Sequence, residues 1–114
     1  MKYYFWRIDK DGKSQVAECQ LHISSNKEFQ IRFSELTNWI GLNDGNFHCI
    51  NSLTGVVTEL IVDEGGINIR GFVNVKDNWF IDGFTLHFTN PETNPLYSNK
   101  VPPTPPSGRK ALTF

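Results

Sequence analysis

The sequence has little cysteine and no long apolar run. Both features bear on the cellular compartment in which the protein is expected. Its two cysteines, Cys19 and Cys49, are predicted to be small core residues in a reducing compartment, although the sequence leaves a disulfide between them open. No apolar stretch approaches the length of a membrane span. The N-terminal sequence MKYYFWRID carries charge and has no small-residue cleavage site, so it does not resemble a signal peptide. We therefore expect a cytoplasmic protein.

Positive charge is not clustered, which argues against nucleic acid as a partner. The net charge is −1, and the 11 lysines and arginines are scattered along the chain. Binding to a phosphate backbone requires clustered positive charge that displaces counterions. We therefore expect neither nucleic acid nor a membrane among the partners.

Common catalytic and cofactor motifs are also missing. The chain contains no G-x-S-x-G, H-E-x-x-H, C-x-x-C, P-loop or dinucleotide-binding motif. His22, His48 and His87 are assigned to strands that are not neighbours, and His48 and Cys49 would point to opposite faces of one strand. We expect no metal and no cofactor. The sequence leaves enzymatic activity undecided and favours a protein that is not an enzyme.

The chain is rich in aromatic residues, which favour the half-buried surface of a β-sheet. Nine phenylalanines, three tryptophans and three tyrosines make up 13% of it. The length suits one domain, which we assign to residues 1–90. Residues 91–114 contain the run VPPTPP and are predicted to form an extended proline-rich tail that packs on its own or a neighbouring subunit.

Residues 67–88 predict a β-hairpin with one apolar face. With Asp77-Asn78 as the turn, antiparallel pairing places Asp82 among apolar residues on that face. The same register places Gly71 and Gly83 each opposite a phenylalanine, whose ring would cover the missing side chain. A slip of one residue would scramble both faces, so we expect the assignment of faces to hold.

The N-terminal region predicts a meander of three strands. Asp11-Gly12 is a hairpin turn signal, and pairing around it places Tyr4, Trp6 and Ile8 on the inner face. Alternating apolar residues continue the second strand to about Ile23 and define a third strand over 28–33.

The pattern then changes from a period of two to helical spacing. Ser34 is a suitable N-cap, Leu36 and Ile40 lie at helical spacing, and Gly41 is a natural stop, so a short helix is predicted at about 35–40. A further meander follows, with Thr54-Gly55 as the turn between strands at 47–51 and 56–62.

These elements predict a mainly β, antiparallel meander of about seven strands, arranged three plus four. Such a meander forms a strongly curved sheet or a small barrel around its own core. The alternative is an α+β open sheet backed by the helix and the tail.

An inward carboxylate is the first candidate site. Asp82 lies on the inner face of the predicted hairpin, and no arginine or lysine is predicted to lie inward beside it. A desolvated carboxylate has a raised pKa and can serve as a general base or a ligand anchor. The predicted pocket is lined by Trp6, Tyr4 and Phe84. Water or a loop amide near the hairpin tip is the structural alternative, as is a bulge that turns Asp82 outward.

Apolar residues on the predicted outer face are the second candidate site. Clusters of aromatic residues on otherwise polar faces are typical of subunit or partner interfaces, unless the tail or the predicted helix covers them. The predicted interface residues are Tyr3, Phe5, Phe72, Trp79 and Ile81, with Tyr97 and Phe114 from the tail.

The two candidate sites predict two alternative functions. The first is a small soluble interaction protein, not an enzyme, that forms a homo-oligomer, with a dimer favoured, or binds a protein partner through the outer aromatics and the tail. The second is a small-molecule-binding protein or enzyme whose interior site is anchored by Asp82.

Overall fold

The described residues form a closed antiparallel barrel of six strands connected in sequence order. The computed structural model describes residues 1–9, 11–43, 46–75 and 77–103, including all their side chains except those of 38–43, 46–49 and 78. The strands are β1 Tyr3–Ile8, β2 Ser14–Ile23, β3 Glu28–Asn43, β4 Asn46–Val62, β5 Gly66–Val75 and β6 Asn78–His87. A 3-10 turn follows at Pro95–Tyr97. The predicted small meander barrel is therefore confirmed, with six strands in place of about seven.

Two ladders show how neighbouring strands of the meander pair. β2 pairs with β3 through Cys19↔Phe33, Leu21↔Ile31 and Ile23↔Phe29, all of which point inward as their alternation indicates. β4 pairs with β5 at Val62↔Ile67 and Leu60↔Ile69, on either side of the connection at Glu64-Gly65.

The predicted faces of β1 were wrong. Phe5 pairs with Ala17 and Tyr3 pairs with Cys19, so the inner face of β1 carries Tyr3, Phe5 and Arg7. Aromatic and apolar residues occupy both faces of this strand, and alternation alone therefore could not assign them. The pairing with Ala17 and Cys19 determines which face of β1 is buried, because these small residues leave room for the Phe5 ring in the core.

The β5–β6 hairpin keeps its predicted faces but shifts its register by two residues. Val75 pairs with Asn78, and Asp77 adopts a φ of 65° just before β6. A shift of two leaves every side chain on its own face. The expected cover of each glycine by a phenylalanine was wrong, because Gly71 pairs with Asp82 and Gly83 with Arg70.

The predicted helix at 35–40 was wrong, since these residues lie within β3. The ladder runs Arg32↔Ser52 and then Thr37↔Ile50, so β3 uses four residues where β4 uses one. This bulge interrupts the period of two and produces a spacing that resembles a helix. Pairing with β4 supplies the backbone hydrogen bonds that a short isolated helix would lack.

The predicted turn at Thr54-Gly55 was also wrong, because both residues lie inside the continuous strand β4. Gly55 has Phe29 of β3 on one side and Val73 of β5 on the other. A Cβ atom at Gly55 would lie 2.5 Å from Cε1 of Phe29 and would overlap the Phe72 carbonyl oxygen. The glycine therefore serves close packing within the sheet, a role that its sequence context does not distinguish from a turn.

The core lies inside the barrel and is largely aromatic. Phe5 packs edge-on against Phe33, with ring centroids 5.5 Å apart, and Phe29 packs against Phe84 at 5.8 Å. Cys19 is a free thiol, 1% exposed, and burial raises its pKa to about 12.

Within the described part of the chain, no helix has the length and apolar character needed to cross a membrane.

We expect Gly55→Ala to lower the free energy of unfolding by about 1–3 kcal/mol, because the added methyl group must displace the Phe29 ring and a backbone carbonyl. Urea denaturation followed by tryptophan fluorescence measures the change. The matched control is Gly12→Asn, at a turn with φ of 78° and nothing within 4 Å, where asparagine tolerates the conformation. Equal stability of the Gly55→Ala protein and the wild type would contradict the packing role.

Candidate functional site

Asp82 lies in the barrel interior and forms an ion pair with Arg7. Both side chains are 3% exposed, and one terminal nitrogen of Arg7 lies 3.2 Å from each carboxylate oxygen. The Gly83 amide donates a hydrogen bond of 2.7 Å to the same carboxylate. The prediction that no arginine or lysine faces Asp82 inside the barrel was wrong. It assigned the wrong face of β1 to the interior and so placed Arg7 outside.

The ion pair lies where main-chain pairing between β1 and β6 ends. Among the described residues, the pairs that join these two strands are Tyr4↔His87 and Phe5↔Leu86. Beyond them, Arg7 donates a hydrogen bond of 3.1 Å to the Gly83 carbonyl while it pairs with Asp82. Side-chain contacts therefore continue the closure of the barrel past the last backbone pair.

The predicted ligand-binding residues do not share one cavity wall. Tyr4 and Trp6 lie on the outer face of β1, paired with Glu18 and Val16, whereas Asp82 and Phe84 point inward. The inner side of Asp82 is occupied by Arg7, whose guanidinium lies 5.3 Å from the centre of the Phe5 ring. The Arg7 Nε atom is buried and has no hydrogen-bond partner among the described residues.

Two of the predicted interface residues lie in the core. Phe5 is 3% exposed and belongs to the core cluster, and Tyr3 is half-buried against it, with its ring 6.1 Å from that of Phe88. Their outward assignment was therefore wrong, for the same reason as that of Arg7. Phe114, also predicted at the interface, lies outside the described residues.

The other three outer-face residues form one cluster. Phe72 and Ile81 are directly paired across β5 and β6. Trp79 pairs with Asn74 at the next position on the same face, two residues nearer the hairpin tip. Ile81 is 52% exposed, and the two aromatic side chains are half-buried. We call Phe72, Trp79 and Ile81 the outer aromatic cluster.

The cluster continues into two parallel rows of cross-strand neighbours. Each row crosses the outer face from β6 to β3, and one reaches β2, because the ladders stay in step across these strands. The rows are Trp79–Asn74–Thr54–Gln30–His22 and Ile81–Phe72–Val56–Glu28. A groove of about 480 Å³ is lined by members of both rows, namely His22, Gln30, Thr54 and Trp79 of the first and Glu28 and Val56 of the second. An apolar cluster bordered by amide and hydroxyl groups is typical of a protein-binding surface.

Tyr97 of the tail packs on the barrel of its own chain. Its ring lies 5.8 Å from that of Trp6 and 5.0 Å from that of His87, in edge-to-face contact with both. Its hydroxyl lies 3.2 Å from Nδ1 of His87. Ser14 accepts a hydrogen bond from the Trp6 indole and donates one to Glu92. The tail therefore covers the outer face of Trp6, and sequence reasoning, which placed Trp6 inside, missed this contact.

His87 is nearly buried in this contact, and its charge is disfavoured. Burial lowers the pKa of His87 below the ordinary histidine value; the Asp63 carboxylate acts in the opposite direction, and Lys100 acts in the same direction as burial. Asp63 itself accepts hydrogen bonds from the amides of Gly65 and Gly66, which hold its pKa below the ordinary value.

Comparison with known proteins provides no relative for this chain. No family model matches it, and neither the curated proteins nor the solved structures contain a significant match. The described residues contain no group of three or more histidine, cysteine, aspartate or glutamate side chains arranged to hold a metal ion. Functional inference therefore depends on the ion pair, the outer aromatic cluster and the tail.

We expect Arg7→Met to lower the free energy of unfolding by about 3–5 kcal/mol, because it leaves the Asp82 carboxylate buried and unpaired. Asp82→Asn removes the negative charge and is expected to destabilise by a similar amount. In the double variant the two losses are expected to be less than additive, by more than about 1 kcal/mol. Additive losses in urea denaturation would show that the two groups do not interact.

We expect stability to fall as the pH falls below about 6.5, because the pKa of His87 is lower in the folded than in the unfolded chain. Between those two pKa values the unfolded chain binds more protons, and acidification therefore favours unfolding. Urea denaturation at pH 7.5 and pH 5 measures the difference. His87→Gln is expected to reduce it, whereas His22→Gln, at an exposed strand position, is expected to leave it unchanged. An equal pH dependence of all three proteins would contradict this assignment.

Proposed function

We propose that this chain is a small interaction protein, not an enzyme, that associates with a second copy of itself through the outer aromatic cluster. The observation that carries the proposal is the direct Phe72↔Ile81 pair on the outer face, flanked by Trp79, with Ile81 52% exposed. A few clustered residues supply most of the binding energy in protein interfaces, and tryptophan is enriched among them.

A second copy fits the chemistry of this surface. The row that contains Ile81, Phe72 and Val56 is apolar until it reaches Glu28, and the neighbouring row carries amide and hydroxyl groups. A two-fold interface brings the same patch of both subunits together, so an uncharged patch has no like charges to bury. Recognition by a strongly charged partner receives no comparable support.

The tail extends the apolar surface available to a partner. Leu96 and Val101 are 79% and 81% exposed, although Tyr97 between them is held against the barrel. A tail fixed at one residue presents its neighbours at a lower entropic cost than a free chain does. A cytoplasmic location is part of the proposal, and the free thiol of Cys19 is consistent with a reducing compartment.

The alternative, a small molecule bound inside the barrel at Asp82, has less support. The carboxylate is neutralised by Arg7, and two of its four predicted lining residues, Tyr4 and Trp6, lie on the outer face. The observation in its favour is the buried Nε atom of Arg7, which has no hydrogen-bond partner in the described part of the chain and offers its N–H group to a ligand oxygen.

We expect the full-length chain to be a dimer by light scattering and Ile81→Lys to raise its dissociation constant at least tenfold, because the lysine places a charge at the centre of the contact. The matched control is Ile61→Lys on β4, since Ile61 is 51% exposed, close to the 52% of Ile81. It is expected to leave the dimer intact.

Two results would contradict the proposal. One is a wild-type monomer across the whole concentration range, and the other is dissociation by Ile61→Lys but not by Ile81→Lys. The second result would assign the interface to the exposed end of β4, where Leu60, Ile61 and Val62 are adjacent.

A further inference from the structure

The last part of β4 has one edge that no described strand pairs with. The ladder between β3 and β4 ends at Glu28↔Val56, and one further main-chain bond of 2.8 Å joins the Val57 amide to the Lys27 carbonyl. Residues 58–62 continue the strand, and within the described ranges they pair with β5 alone. We call their other side the free edge of β4. An edge of this kind can accept an added strand.

The hydrogen-bond pattern identifies the main-chain groups that point to the free edge. The Asp63 amide donates a hydrogen bond of 3.0 Å to the Gly66 carbonyl across the β4–β5 connection. Bonded and non-bonded pairs alternate along an antiparallel ladder, so Ile61 bonds to β5 and Val62 does not. The amide and carbonyl groups of Val62 and Leu60 therefore point away from β5.

Exposed apolar side chains lie on both faces of this edge. Leu60 and Val62 pair with the buried Ile69 and Ile67 on the inner face, yet they are 41% and 60% exposed. Ile61 lies on the outer face and is 51% exposed. An added strand would cover these side chains while its main chain bonds to β4, as in complexes in which a peptide extends a sheet.

The charges around the free edge favour a basic segment over a second copy. Glu59 lies in the strand, Asp63 and Glu64 follow it, and all three are exposed. Lys27 lies at the opposite end of the edge, and Arg70 faces Glu59 from β5, on the side away from an added strand. A second copy would bring the same carboxylates to the edge again, and like charges side by side in a sheet are unfavourable. Lysine or arginine beside the turn would complement them.

We propose that the free edge of β4 binds an extended segment of a partner protein, in which basic residues precede at least three apolar, β-branched residues. In antiparallel pairing the basic residues lie beside Asp63 and Glu64, and the apolar residues lie beside residues 60–62. This interaction goes beyond the proposed self-association and uses a different surface from the outer aromatic cluster.

Amide hydrogen exchange, followed residue by residue by NMR, tests this interaction with the peptide acetyl-Lys-Lys-Val-Ile-Val-Thr-amide. We expect the amides of Leu60 and Val62 to exchange about tenfold more slowly in about 1 mM peptide, as for a dissociation constant on the order of 0.1 mM. The Ile61 amide already bonds to β5 and is expected to be unchanged.

Two control peptides separate the charge from the main-chain contribution. Acetyl-Glu-Glu-Val-Ile-Val-Thr-amide reverses the charge, and acetyl-Lys-Lys-Val-Ile-Pro-Thr-amide removes the donor opposite Leu60. Both are expected to leave the exchange of Leu60 and Val62 close to that of the free protein.

A pair of protein variants tests the same edge from the other side. The Val62 amide does not bond to β5, so Val62→Pro fits an edge position, and it is expected to abolish the protection of Leu60 by the first peptide. Ile81→Lys changes the outer aromatic cluster and is expected to bind this peptide like the wild type.

Unchanged exchange of Leu60 and Val62 in the first peptide would overturn the proposal, as would equal protection by the charge-reversed peptide. Slow exchange of both amides in the protein alone would also overturn it, because the edge would already be covered, and a dependence on protein concentration would identify the cover as a second copy. A failure of the light-scattering prediction is distinguishable, since the peptide experiment does not require the dimer.

Discussion

The ion pair between Arg7 and Asp82 is the interaction on which the closed form of the barrel depends. β1 is short, and its described backbone pairing with β6 covers Tyr4 and Phe5. Past that point the Arg7 guanidinium holds both the Asp82 carboxylate and the Gly83 carbonyl. A buried pair of this kind is expensive to desolvate and contributes little to net stability, but it strongly disfavours any arrangement in which either charge is left alone. Its effect is to specify one register of closure.

The buried ion pair also helps to explain why the inner and outer faces of the barrel differ as binding surfaces for a partner. Large aromatic side chains and the ion pair occupy the inner face, so the interior packs as a core. The outer face of β2 to β6 carries rows that stay in register across four ladders and collect Phe72, Trp79 and Ile81 at one end. Tyr97 of the tail covers the neighbouring outer face at Trp6, and Ile81 of the cluster is 52% exposed.

Alternation within single strands predicted much of this arrangement. The inner faces of β2 and β5 to β6, and the first part of β3, follow from a period of two, because a strand with one buried face admits a single assignment. Two local signals were misleading. Gly55 has the sequence context of a turn but serves close packing against Phe29, and the spacing of Leu36 and Ile40 resembles a helix because a bulge interrupts β3.

The sequence by itself determined the class of the fold, the inward position of Asp82 and the outward position of Phe72, Trp79 and Ile81, since these depend on alternation within one hairpin. Only the tertiary structure decided which face of β1 is buried, and with it the partner of Asp82, because aromatic residues occupy both faces of that strand. The contact of Tyr97 with Trp6 and His87 likewise joins residues about 90 and 10 positions apart. No local pattern encodes such a contact, because it arises only when the barrel has closed.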